Sequence, residues 1–113
     1  MLIKDVNKVI KEVPTLEGTK GCTLQWLITK DDGAKHYAMR LFTLAPGGII
    51  PLHSHNDMEH EMFILEGGGI LKTEEKEIKI KTNDVLFVQI GDKHGFINNS
   101  VKPLKFICVI PFL

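Results

Sequence analysis

Turn-forming residues recur along this 113-residue chain with short β-rich runs between them, and no other feature narrows the possible folds as much. The turns are marked by Glu17-Gly18, Asp31-Asp32-Gly33, Pro46-Gly47-Gly48, Gly67-Gly68-Gly69, Asn83-Asp84, Gly91-Asp92 and Asn98-Asn99-Ser100. The runs between them are Thr23 to Thr29, His36 to Leu44, His60 to Leu65, Ile70 to Thr73, Glu77 to Lys81, Val85 to Ile90 and Leu104 to Ile110. Short strands at regular spacing build a sandwich or a barrel. Lys76-Glu77-Ile78-Lys79-Ile80-Lys81 alternates polar and apolar, as a half-exposed strand does. Only Ile3 to Val13 has a helical reading, a weak one, with Pro14 ending it. The pattern predicts an all-β chain closed into a double-sheet jelly-roll barrel with a short N-terminal extension.

No linker, low-complexity tract or repeat divides residues 1–113, so a single domain is expected. Hydrophobic residues (43%) and charged residues (25%) stand near globular averages, enough for one core without disulfides. Basic and acidic residues balance, which gives no electrostatic reason to expect nucleic acid or an acidic membrane as partner. Zero net charge also does little to oppose self-association. No apolar run approaches the roughly 20 residues of a membrane span, and Met1-Leu2-Ile3-Lys4-Asp5-Val6 lacks the apolar stretch of a signal peptide. The expected location is therefore cytoplasmic. Cys22 and Cys108 agree with it: isolated, without CxxC or CxxH neighbours, they read as reduced thiols with at least one buried.

Four of the five histidines fall in two turn-rich segments. His53 and His55 are two apart, a spacing that puts both side chains on one face of a strand. His60 follows, and His94 lies far downstream. Core packing does not explain such clustering. Neutral imidazoles suit one divalent ion, whether Mn, Fe, Zn, Ni or Cu.

The segments resemble the two motifs of the cupin family, in its small single-domain form. The first motif matches Gly47, His53, His55, then Glu59 or His60, then Gly67 or Gly68. The second matches Gly91, His94 and Asn98, but has Asn83 where the family has glycine and Gln89 where it has proline. Asparagine tolerates positive φ well, so the Asn83-Asp84 turn survives the change. The motifs run from about 47 to 68 and from about 83 to 98. The resemblance implies a double-stranded β-helix, the cupin barrel, with a mononuclear metal at which a small ligand or substrate binds.

The family's usual third ligand is a glutamate, which Glu59 would supply. Strand parity favours His60 instead, because His60, Met62 and Ile64 share one face and suit a barrel interior. Glu59, Glu61, Phe63 and Leu65 share the other face. The expected metal set is His53, His55, His60 and His94, with Glu59 the alternative to His60. Four neutral imidazoles leave a divalent site at +2, which favours an anionic ligand. Imidazole ligates only when neutral, so metal and stability should fall together as pH drops from about 7 to 5.

Asn98 reads as a turn residue that satisfies backbone groups, and His36 as an exposed strand start. Trp26, Met39, Phe42, Met62, Phe87 and Phe96 read as core. Arg40 reads as a charge on the outer face or, pointing inward, as an anchor for a carboxylate. Lys72, Lys76, Lys79 and Lys81 read as a solvated hairpin. Outward Phe63 and Leu65 and the apolar run from Phe106 to Leu113 favour a homodimer, since a barrel wall cannot bury both faces by itself. Three functions fit: a metalloenzyme acting on a small organic anion, a binding or sensing module, and a structural metal in a dimeric scaffold. No separate acid–base residue stands out. Oxidative, dioxygenase-type chemistry is therefore favoured over isomerisation or decarboxylation.

Overall fold

The structure is a computed structural model that describes residues 1–113. It contains eight strands: β1 Lys20–Ile28, β2 Tyr37–His53, β3 His60–Glu66, β4 Gly68–Thr73, β5 Glu77–Lys81, β6 Val85–Val88, β7 His94–Ile97 and β8 Leu104–Pro111. They form one curled, antiparallel sheet in the order β5-β4-β7-β2-β8-β3-β6, with β1 also on β2. The expected β-barrel is what the chain adopts.

The barrel depends on β2, a 17-residue strand that serves both walls. Its first half pairs with β1 and β8, from Ala38 opposite Ile110 to Leu44 opposite Leu104. Its second half pairs with β7, where Ile49 faces Ile97 and His53 faces His94. Pro46-Gly47-Gly48, which reads as a turn in sequence, is a corner inside this strand. Gly48 is required there: a Cβ would lie 2.7 Å from the Gly21 carbonyl oxygen and 2.8 Å from that of Ala45. β7 is only four residues long and has no counterpart among the β-rich runs of the sequence. Asn83 takes the positive φ (77°) expected of it, in the turn between β5 and β6.

Period-two alternation sorts side chains to the two faces. Along β8, Leu104, Phe106, Cys108 and Ile110 point inward and are buried, as are His60, Met62 and Ile64 on β3. Phe106 stacks on Phe42 at 5.2 Å and on Phe96 at 4.6 Å between ring centroids. Burying a side chain of this size contributes about 1.5–3 kcal/mol. Asn98 seals the closed end and is fully buried. Its amide donates to the carbonyls of Leu44 (2.9 Å) and Lys102 (2.8 Å), and its oxygen accepts from Ser100 N and Oγ. This matches its expected role.

Two readings change, and one left open is decided. Ile3 to Val13 is not helical beyond a single 3-10 turn at Val6–Lys8. The Gln25 amide donates to the carbonyls of Val6 and Val9, and Glu12 bridges to Leu24. The segment therefore satisfies its backbone against β1 rather than within itself. Met39 and Phe87 are not core: they lie on the outer face, 38% and 61% exposed. Arg40, open between the two faces in the sequence, points inward. The remaining expected core residues fit: Met62 and Phe96 are buried, and Trp26 and Phe42 pack against the core. Both cysteines are free and buried, and burial pushes the Cys22 thiol up to about 11. No helix is long and apolar enough to cross a membrane.

Candidate metal centre

Three strand ends and one loop place the histidines. His53 closes β2, His60 opens β3 and His94 opens β7, all at one end of the barrel, while His55 sits in the loop from β2 to β3. His53 and His94 are register partners, with ring centroids 4.3 Å apart. Close approach there needs Gly95, whose Cβ would lie 2.7 Å from the Ile50 carbonyl oxygen. Gly91 N donates to His55 O (2.8 Å) and ties the β2–β3 loop to the turn before β7. His60 lies 5.1 Å from both His55 and His94, centroid to centroid.

His53, His55 and His94 offer ring nitrogens that all lie within 4.8 Å of one another, an arrangement that suits a metal ion. Their hydrogen bonds select the atom left for it. His53 Nδ1 is 2.8 Å from the Pro51 carbonyl and His94 Nδ1 is 2.9 Å from that of Asp92. A carbonyl only accepts, so each Nδ1 carries the proton and each Nε2 keeps its lone pair. His60 stands beside this trio. Its Nδ1 is 3.4 Å from Cys108 Sγ, and its Nε2 is buried without any partner. A buried polar atom left unpaired costs about 1–3 kcal/mol, so an orphan among three other imidazoles fits a site made for an ion.

Burial, more than mutual repulsion, keeps His55, His60 and His94 neutral. It pulls His60 down to about 3, with His94 and Arg40 adding to the effect, and His94 down to about 4. His55 also falls, through burial first and then the charges of His53 and Arg40. Glu59 is elsewhere. It lies beside Glu61, whose carboxyl is pushed up by desolvation first and by the Glu59 carboxyl second. Strand parity therefore sorts His60 and Glu59 as the sequence suggests, one into the cluster and the other beside Glu61. His36 is exposed, as expected.

A cavity of about 50 Å³ adjoins the cluster. Arg40, Phe42, Ile50, Met62, Phe96 and Phe106 complete its lining, and no carboxylate reaches it. Arg40 is the residue that sequence reasoning placed least well. Its strand alternates Ala38, Arg40, Phe42 and Leu44 on one face, and parity with the apolar members was the signal that it faces in. Its Nη2 donates to Cys108 Sγ at 3.0 Å.

The fold recurs in known proteins. The polyketide cyclase RemF from Streptomyces resistomycificus superposes with a TM-score of 0.93 at 28% identity, over 98% of this chain and 79% of that one. The predicted oxalate decarboxylase of Thermotoga maritima superposes with a TM-score of 0.86 at 27% identity, over 99% of this chain and 100% of that one. In sequence, an oxalate-binding protein of Thermotoga maritima is 30% identical over 100% of this chain and 95% of its own length. The family model described as "Cupin domain" matches residues 40–110, from the inward arginine of β2 to the end of β8. With the barrel, the histidine cluster and this match in agreement, the chain belongs to the cupin domain family.

Proposed function

We propose that the protein is a mononuclear metalloenzyme acting on a small organic anion, with His53, His55, His60 and His94 holding one divalent ion. The observation that carries this reading is the orphaned, buried Nε2 of His60 beside three imidazoles whose ligating nitrogens lie within 4.8 Å. Neutral imidazoles leave the ion's +2 charge uncompensated, and the small cavity beside it is apolar apart from Arg40. A bound ion supplies Lewis-acid polarisation or, if redox-active, oxidative chemistry. The cavity lacks a carboxylate that would move protons, which favours oxidative turnover over isomerisation or decarboxylation. The protein chain's part is to fix the imidazole tautomers through Pro51 and Asp92 and to keep bulk water out with Phe42, Phe96 and Phe106.

A second reading is binding or sensing without turnover. It is favoured by the full-length relative, which is called a binding protein, of oxalate. One experiment separates the two. The protein is loaded in turn with Mn, Fe, Ni, Cu and Zn and given a panel of carboxylates, phenols and sugar phosphates. Product formation and oxygen uptake are followed alongside calorimetry. Metal-dependent turnover supports the enzyme, and saturable heat without product supports the binding module. Wild type that takes up no more metal than His53→Ala/His55→Ala sinks both.

We also propose a homodimer through the outer face of β3, β6 and β8. Phe63 (38% exposed), Leu65 (46%), Phe87 (61%) and Val85 (79%) form an apolar surface there with half-buried Ile107 and Val109. A monomeric mass in light scattering at micromolar concentration rules this out.

A further inference from the structure

Arg40 is a charge without a counter-charge. Five ion pairs join side chains of this protein, and none includes it. Its guanidinium lies between two aromatic faces, 5.4 Å from the Trp26 ring centroid and 5.0 Å from that of Phe42. Its Nε is buried with no partner, and its one hydrogen bond goes to a thiol, a weak acceptor. Burying a charge is costly unless it is paired. The aromatic sandwich offsets part of that cost but leaves N–H donors without acceptors. The remaining polar groups of the cavity are the four histidines, so nothing in the lining neutralises the guanidinium. An ion held by the histidines would add more positive charge to the same small space.

We propose that Arg40 is the specificity-determining residue of this site: its guanidinium receives one carboxylate of a small dicarboxylate whose other carboxylate faces the histidines. The proposal rests on the metal-centre reading above for the second carboxylate only. The planar fork of a guanidinium matches a carboxylate in two parallel hydrogen bonds. Cys108 Sγ touches both Arg40 (3.0 Å) and His60 (3.4 Å), so the two recognition points are one sulfur apart. The cavity of about 50 Å³ is small and restricts the occupant to a short molecule. The class is therefore a dicarboxylate with at most a carbon or two between its acid groups.

The test compares malonate with malonamate, which has the same shape and one charge fewer. Trp26 is the single tryptophan and stacks on Arg40, so its fluorescence reports occupancy directly. Zinc-loaded wild type should bind malonate at least tenfold more tightly than malonamate. In Arg40→Met that ratio should fall to near one with zinc content unchanged, and Arg40→Lys should keep an intermediate ratio. An unchanged ratio in Arg40→Met overturns the proposal, as does a loss of melting temperature with no change in ratio, which marks a structural arginine. If Arg40→Met does not fold, wild type and Arg40→Lys decide it: equal affinity for the two ligands in wild type, or equal ratios in wild type and Arg40→Lys, overturns it. Zinc content is read separately. Wild type without zinc uptake sinks the metal centre, and Arg40 is then tested in the metal-free protein by malonate affinity alone, which should fall at least tenfold in Arg40→Met. Malonate that binds neither form overturns the proposal.

Discussion

The two ends of the barrel interior are built from the same strands to opposite purposes. At the closed end, Leu44, Ile64, Leu104 and Asn98 are almost wholly buried, and the polar member satisfies all its hydrogen-bonding groups. At the histidine end, His60 Nε2 and Arg40 Nε are buried without partners. β2 and β8 run through both ends, so the difference does not come from the fold. It comes from which residues occupy the inward positions. One end contributes stability, and the other gives some up to keep groups ready for a ligand.

Variants at the two ends can break or sharpen this comparison. The largest effect expected is on metal: His53→Ala/His55→Ala should lose it entirely by elemental analysis while the metal-free protein stays folded. At the closed end, Leu104→Ala should cost about 2–5 kcal/mol in urea unfolding with metal content per folded molecule unchanged. Asn98→Ala should cost about 2–3 kcal/mol, because the Leu44 and Lys102 carbonyls lose their donor. A variant that moves both properties together would erase the distinction between the ends.

A smaller effect is expected with pH. In the metal-free protein His60 and His94 titrate near 3 and 4, well below the ~6.5 of an unfolded histidine. Between those values the unfolded chain binds protons that the folded one refuses. Stability is therefore complete above about pH 6.5 and declines as pH falls from there toward 4. Melting temperatures at pH 7 and 5 should show the drop, and His60→Phe/His94→Phe should flatten it. A bound ion should steepen it, since metal then leaves over the same range. The smallest change expected is from Glu59→Gln, which should keep its metal. Loss of metal there would make Glu59, not His60, the third ligand.

Much of both ends is legible in the sequence, for different reasons. The strands of the closed end show in the alternation of Leu104 to Ile110, because one buried face imposes period two. The histidines show through their spacing, and parity alone separates His60 from Glu59. What is not legible depends on long-range partners. β7 is four residues whose burial comes from β2 and β4, so its own pattern carries no signal. The N-terminal segment has apolar residues at nearly helical spacing, yet Gln25, 16 and 19 residues away, takes its carbonyls. Arg40 is charged, and charge normally means outside. Only its apolar strand-mates say otherwise.

The order of strands along β2, β8 and β3 also bears on how the chain reaches this state. β8 lies between β2 and β3 in the sheet, yet it comes after the other seven strands in the chain. During synthesis the inward faces of β2 and β3 therefore stay open until Leu104–Pro111 has emerged. Pairings that span so much sequence form slowly, and exposed strands invite misassociation while they wait. Refolding should be slow, and truncation before Leu104 should yield aggregates rather than a smaller barrel.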